Sequence, residues 1–434
     1  MGFFHQRRGI NVCANFPPVI GLLYSLFTHV VGASVLRLSK WGTVKQRRWA
    51  EGVHRSHQLL RECPRHAHIW IHCASLGEYE QAAPLIDAIQ RRFPQKKILL
   101  TFFSPSGHEK LHRHPDIEVH YLPLDTPDRT RRWVEFFRPD MALFIKYEFW
   151  PNVLQALAKA KVPTYLIAGV FRPNQPYFRW AQRFYRLPFR CFSGWFVQDD
   201  ISARVLQRHG WGPVMIVGDP RIDRVVQWQP RPEILRRLRK FFPDGSAILV
   251  AGSTYPPEEQ MLANVRNAFP QLRLIIAPHE VTASRIDFIQ QLLPDARKWS
   301  DPPQPTSTLI IDTIGILKDA YHIGNITLVG GGFGNRIHNI LEPAAAGCPV
   351  LFGPRHHDFP EAEGLIQCGG AFVFDSPKQL LHHLDHLLNN AAYGQAGHAA
   401  RAWIEQHKGA TQRIMNAIFG PSQPQSNALS RPSH

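Results

Sequence analysis

The sequence predicts an α/β protein built from two Rossmann-like domains that face a cleft, and three observations predict it. From Ile69 onward, short apolar runs alternate with amphipathic stretches, the pattern of a parallel sheet covered by helices on both faces. The alternation pauses near Asp223–Pro232 and then restarts, which gives two sets of similar size. The chain has 434 residues, more than one ordinary core organises, so two domains of roughly 200 residues are expected.

The elements follow in order. Val19–Leu36 contains no Asp, Glu, Lys or Arg and comes just after Pro17 and Pro18. It is barely long enough to span a bilayer, and Ser25, Thr28, His29 and Ser34 weaken it. Arg37, Lys40, Lys45, Arg47 and Arg48 outweigh Arg7 and Arg8 as a basic flank, which places the body of the protein in the cytoplasm. Residues 1–40 therefore read as a membrane anchor or interfacial helix, with a buried helix as the alternative.

Residues 41–225 read as the first domain, with strands expected at Ile69–Cys73, Lys97–Phe102, Ile117–Tyr121, Met141–Ile145, Thr164–Ala168, Gly194–Gln198 and Val214–Val217. A helix is expected over Glu78–Phe93, where Ala82, Leu85, Ile86 and Ile89 share a face. Residues 226–420 read as the second domain, with strands at Ala247–Ala251, Leu272–Ala277, Thr308–Ile311, Ile326–Val329, Pro349–Phe352 and Ala371–Phe374. The tail 421–434 is rich in Pro, Ser and Gln and is expected to be disordered.

The composition is globular, 44% hydrophobic and 19% charged, with a net charge of +16. Such an excess favours an anionic partner: nucleic acid, an acidic membrane or a phosphorylated substrate. Six scattered cysteines without a C-x-x-C pair suit free thiols in a reducing compartment. Cys63, His66, His68, His72 and Cys73 have a metal-like composition, but His72 and Cys73 are strand neighbours that point to opposite faces. Packing is the reading there, and no metal is expected.

Three stretches carry candidate chemistry. In the first, Ile69–Cys73 runs into Ala74-Ser75-Leu76-Gly77-Glu78. A strand-to-helix turn is where an open α/β sheet presents its ligand crevice, so Glu78 is a candidate base or an ordinary first-turn acid. In the second, Tyr147-Glu148-Phe149-Trp150-Pro151-Asn152 follows the strand Met141–Ile145 and puts Glu148 at the mouth of the same crevice.

The third is Gly330-Gly331-Gly332-Phe333-Gly334-Asn335, followed by a helical reading over His338-Asn339-Ile340-Leu341-Glu342-Pro343-Ala344-Ala345-Ala346-Gly347. Glycines let a backbone approach a ligand, and a helix N-terminus offers N–H groups to a phosphate. The pattern is neither G-x-G-x-x-G nor a P-loop. Glu342 is placed either to bind a ribose diol or to complement the helix dipole.

Several basic or His-rich stretches are weaker signals. Phe171–Arg190 interleaves Arg172, Arg179, Arg183, Arg186 and Arg190 with aromatic residues, which suits a membrane interface or a phosphorylated acceptor. RNA could use the same composition, but no nucleic-acid partner is expected. Arg129, Arg131 and Arg132 read as a solvated helix face, His356, His357 and Asp358 as cleft-facing, and His382, His383 and His386 as surface residues.

Taken in order, Ser75-Leu76-Gly77-Glu78, Glu148-Phe149-Trp150-Pro151-Asn152 and His338-Asn339-Ile340-Leu341-Glu342-Pro343 resemble the 3-deoxy-D-manno-octulosonic acid (Kdo) transferases of lipopolysaccharide synthesis. Thr101–Gly107 and Leu122-Pro123-Leu124-Asp125 add to the resemblance. Phe171-Arg172-Pro173-Asn174-Gln175 and Gly218-Asp219-Pro220-Arg221-Ile222-Asp223 look like the Bacteroidetes-like branch. The resemblance implies a GT-B fold, an inner-membrane anchor with the catalytic domains on the cytoplasmic face, CMP-Kdo as donor and a lipid A precursor as acceptor. It implies no cofactor.

The resemblance assigns the base to Glu78 and the CMP contacts to Pro278-His279, Ile314-Gly315-Ile316 and Asn339-Ile340-Leu341-Glu342. Ser75, Gly77, Glu148, Gly331, Gly332 and Phe333 are further crevice candidates. In two places the chain departs from the family: His279 stands where Arg is usual, and Ile316 where Glu is common. The alternatives within the fold are a UDP-sugar transferase, a sugar-nucleotide epimerase, which needs no anchor, and a catalytically inactive binder.

Overall fold

The computed structural model describes residues 18–38, 41–112, 114–389 and 392–421. Of the expected anchor 1–40, the apolar core Val19–Leu36 lies in the helix Pro18–Leu38, while residues 1–17, 39 and 40 and residues 422–434 of the expected disordered tail lie outside the described residues. The chain divides into two compact units, Met1–Asp223 with Gly409–His434, and Arg224–Lys408.

In the first unit the strands are β1 (Ile69–Cys73), β2 (Ile98–Phe102), β3 (Ile117–Tyr121), β4 (Met141–Ile145), β5 (Thr164–Gly169), β6 (Gly194–Val197) and β7 (Val214–Ile216). They form one sheet in the order β3-β2-β1-β4-β5-β6-β7. Every pairing is parallel, with Ile71 opposite Leu100 on one side and Leu143 on the other. A parallel sheet is buried on both faces, and β1 shows how the sequence meets that demand. Ile69, Ile71 and Cys73 enter one core with Leu85, Ile86 and Ile89 of the helix Leu76–Arg92. Trp70 enters the opposite core with Trp133 and Phe144.

The second unit repeats the plan. Its strands are β8 (Ile248–Thr254), β9 (Arg273–Pro278), β10 (Arg297–Lys298), β11 (Thr308–Ile310), β12 (Ile326–Val329), β13 (Val350–Phe352) and β14 (Ala371–Val373). They form a parallel sheet in the order β10-β11-β9-β8-β12-β13-β14. The two-residue β10 is entirely basic in sequence, so apolar runs gave no sign of it.

One expected boundary is corrected. Residues 409–420 were assigned to the second domain, but the helix Ala410–Phe419 belongs to the first unit. Ile414, Met415 and Ala417 complete the core beneath β1 and β2. The Asp223 carboxylate accepts hydrogen bonds from the Gly409 and Thr411 N–H groups at the start of this helix. Arg413 Nε donates to the Val217 carbonyl at 2.9 Å.

The helix Pro18–Leu38 packs on the first unit. Tyr24 donates to Asp125 Oδ2 at 2.7 Å and sets its ring 5.4 Å from that of Phe184. Asp125 in turn accepts the Val153 N–H at 2.8 Å, at the start of the helix Pro151–Lys159. A side chain at Gly32 would strike Leu124, which marks close contact on this face. Leu23, Leu26, Phe27 and Val30 are exposed, and their spacing gives the helix one apolar outer stripe. No helix among the described residues is long and apolar enough to cross a membrane.

Candidate active-site residues

The strand order reverses between β1 and β4 in the first sheet and between β8 and β12 in the second. Ligands of open α/β sheets bind beyond the carboxyl ends of the strands at such switch points. Glu78 follows β1 and Glu148 follows β4, so topology brings together two residues 70 positions apart in sequence.

Ser75 is the extended N-cap of the helix Leu76–Arg92 but makes no side-chain cap bond. Glu78, in the first turn, reaches back so that its carboxylate accepts the Ala74 N–H. Gly77 is exposed, and a side chain there would meet only Ser75 Oγ at van der Waals distance. Burial pushes the Glu78 carboxyl up to about 7, and the negative charge of Glu148 adds to the rise. His72, the Ala74 N–H and Lys146 pull the other way. A carboxyl poised near neutrality is chemically suited to general-base work.

Glu148 is nearly buried, with a side-chain exposure of 12%. Its Oε2 accepts the Trp150 Nε1–H at 2.6 Å and lies 3.1 Å from His72 Nε2. Lys146 turns the chain here with φ of 61°, in the left-handed region that side chains seldom occupy. Phe149 is a packing residue, its ring 4.6 Å from that of Phe189. The metal-like cluster of the first domain does not form. His72 faces Glu148 and Thr101, and Cys73 lies in the core. His66, His68 and Asp140 instead bring ligand atoms within reach of one ion, as do His356, His357 and Glu363.

The Phe171–Arg190 segment sorts by side chain. Phe171, Phe178 and Phe189 join the core, and Tyr177 and Tyr185 pack against it. Arg172 pairs with Asp199 at 2.8 Å. Arg179, Trp180, Arg183, Arg186 and Arg190 are exposed.

In the second unit, β12 delivers Gly330-Gly331-Gly332 into tight quarters. A side chain at Gly332 would come within 2.6 Å of the Gly353 backbone, and one at Gly330 within 2.3 Å of the Ser253 carbonyl. Gly331 has φ of 93°, and its N–H donates to Glu258 Oε1 at 2.9 Å. The other Glu258 oxygen accepts the Tyr255 N–H at the start of the helix Pro256–Ala268. Beside this loop three rings stack: His279 lies 4.3 Å from His338 and 5.0 Å from Tyr255. The Tyr255 hydroxyl and His338 Nε2 are 3.1 Å apart. Burial, with His279 and Arg336 nearby, lowers His338 to about 4.

The remaining expected contacts divide between surface and core. His279 and Asn339 are exposed, and Ile314 is 91% exposed. Pro278 ends β9 with its ring buried. Ile316, Ile340 and Leu341 are core side chains, leaving their backbone as what they can offer a ligand. Gly315 has φ of 97°, and its carbonyl is held by Arg231, which also clamps Asp319. Phe333 rests against Phe374.

The helix expected near His338 begins at Leu341, whose N–H is accepted by Asn339 Oδ1 at 3.0 Å. Glu342 pairs with Lys318 at 2.8 Å, and Lys318 also lies over the Trp228 ring. With Arg224, Val225, His322 and Ala345 these residues line a small recess. His356 is buried with no partner for Nδ1, beside exposed His357 and Asp358. Sequence reading missed Thr101, Tyr255 and the role of His72. The available signal for His72 was its place at the crevice end of β1, opposite in parity to Cys73.

Two parallel seven-stranded units, each with a loop cluster at its switch point, define the GT-B class of fold. Residues 45–224 match the family described as 3-Deoxy-D-manno-octulosonic-acid transferase (kdotransferase). The 3-deoxy-D-manno-octulosonic acid transferase of Haemophilus influenzae is 27% identical over 384 residues, covering 82% of this chain and 87% of the relative. That of Bordetella pertussis is 27% identical over 382 residues, with the same two coverages of 82% and 87%. Among solved structures, UDP-GlcNAc 2-epimerase from Neisseria meningitidis, bound to UDP-GlcNAc, superposes with a TM-score of 0.57. It is 16% identical and covers 81% of this chain and 98% of its own, a likeness of fold. The chain is similar to the Kdo transferases over most of its length.

Proposed function

We propose that this protein transfers Kdo from CMP-Kdo to a hydroxyl of a lipid A precursor, lipid IVA, in lipopolysaccharide synthesis. The observation that carries the reading is Glu78, a carboxyl raised to about 7 at the switch point of the first unit. Glu78 accepts the proton of the acceptor hydroxyl as its oxygen bonds to the anomeric carbon of Kdo. The bond from that carbon to the CMP phosphate oxygen breaks, and CMP departs with the electron pair. One base and direct displacement give inversion. The nucleotide is assigned to the second unit, where the glycine loop, His279 and the Asn339–Glu342 turn gather. No metal or cofactor has a part in this scheme.

The outer stripe of the helix Pro18–Leu38 is assigned to the membrane surface. Leu23, Leu26, Phe27 and Val30 would enter the interface, while the exposed arginines of 179–190 face anionic head groups. The catalytic units would then lie at the cytoplasmic face of the inner membrane. Leu26→Asp combined with Phe27→Asp should cut co-sedimentation with anionic vesicles by about tenfold or more; unchanged sedimentation would remove the assignment.

The direct test is incubation of the enzyme with CMP-Kdo and lipid IVA, followed by mass spectrometry of the lipid. A Kdo-bearing lipid and released CMP are expected. Neither product, with an active donor verified, would overturn the proposal. The likeness to an epimerase is one of fold, and UDP-GlcNAc left unconverted by the same enzyme would set that reading aside.

A further inference from the structure

A line of hydrogen bonds runs behind the two carboxylates of the first unit. Trp70 Nε1–H donates to Thr101 Oγ1 at 2.8 Å. His72 Nδ1 lies 2.9 Å from the same oxygen and 3.1 Å from the Thr101 carbonyl. His72 Nε2 lies 3.1 Å from Glu148 Oε2, which also accepts the Trp150 Nε1–H at 2.6 Å. Trp70, His72 and Thr101 are all fully buried.

The donor inventory fixes the directions. An indole nitrogen can only donate, and an ionised carboxylate can only accept. Nδ1 is satisfied in either state: bare, it accepts the Thr101 hydroxyl; protonated, it donates to the Thr101 carbonyl. Facing the Glu148 oxygen that already accepts the Trp150 N–H, Nε2 is assigned the hydrogen. The other tautomer would aim a lone pair at a carboxylate in a site with little solvent to screen it.

We propose that His72 is a positioning residue: the Trp70–Thr101 bonds lie behind it, and its Nε2–H, with the Trp150 N–H, holds the Glu148 side chain aimed beside the base. The proposal rests on the reading of Glu78 as that base. The groups that face the pair are His72 and Cys73 from β1, Lys146 from the turn after β4, and Tyr177 from the segment after β5. Two neighbouring carboxylates take up their first proton as a coupled pair. Losing an N–H donor makes that proton bind more tightly. The acid limb of kcat/KM therefore moves to higher pH when the donor is removed.

The experiment measures kcat/KM against pH with CMP-Kdo and lipid IVA for the full-length enzyme and for His72→Phe, His72→Gln and Trp150→Phe. His72→Phe should raise the acid-limb midpoint by about one pH unit, a rate about tenfold lower on that limb, with the profiles converging well above it. His72→Gln, whose amide N–H can replace the donor, should move the midpoint less. Trp150→Phe removes the other donor from a half-buried position and should move it the same way, which preserves the test if His72→Phe does not fold. Unmoved midpoints in the folded variants, or a loss of rate equal at every pH, would overturn the proposal. Turnover retained by Glu78→Gln overturns the base reading instead, so the two failures are distinguishable.

Discussion

The switch points of the two sheets occupy equivalent positions and carry opposite kinds of chemistry. At β1 and β4 the turns deliver carboxylates, and burial with like charge drives Glu78 towards neutrality. At β8 and β12 the turns deliver glycines and stacked rings, and Glu258 is spent on fixing backbone N–H groups. On the proposed function, the first site moves a proton and the second holds the donor. The difference shows that topology supplies the location, while the turn residues supply the function.

Mutations should therefore separate the two sites by kinetic signature. The largest effect is expected from Glu78→Gln, which should lower kcat by about a thousandfold while CMP affinity is retained. CMP affinity measured by calorimetry checks the second half, and its collapse would break the division of labour. Glu258→Ala should act in the opposite way. It leaves the Gly331 N–H without its buried acceptor, costing about 1–3 kcal/mol. It should raise KM for CMP-Kdo more than it lowers kcat; a pure kcat effect would contradict the comparison.

A smaller effect sharpens the electrostatic side. A carboxyl whose folded pKa is raised, here to about 7 for Glu78, binds its proton more tightly in the folded state than in the unfolded chain. It leaves stability intact below the unfolded value and weakens the fold as pH rises through the folded one. Glu78→Gln should therefore stabilise the protein at pH 8 by on the order of 1–2 kcal/mol after solvent screening. The gain should fade as pH falls from 7 towards the ordinary carboxyl range, as thermal melts across pH would show. The smallest effect concerns the boundary of the units. Asp223→Ala removes the acceptor for Gly409 and Thr411 and should cost about 1 kcal/mol, read as a lower Tm.

Much of this was legible in the sequence because parallel strands are buried on both faces and so appear as apolar runs. β1, β4 and β12 begin and end where those runs do. The two-residue β10 was not legible, since Arg297 and Lys298 carry no apolar signal. Nor was the return of the helix Ala410–Phe419 to the first unit, because its apolar face would fit any core. Glu78 and the glycines stood out by residue type and position. His72 did not, because a histidine in a strand is as well explained by packing.

The sequence by itself determined the two α/β sets, the turns that carry Glu78, Glu148 and Gly330–Gly334, and the family resemblance, since local pattern and chemical type are written in the residues. The tertiary structure alone decided which groups meet. It placed Glu148 beside His72 and near Glu78 because β1 and β4 are neighbours in the sheet. It buried Ile316, Ile340 and Leu341 and raised Glu78, because burial and proximity belong to packed neighbours and not to any one residue.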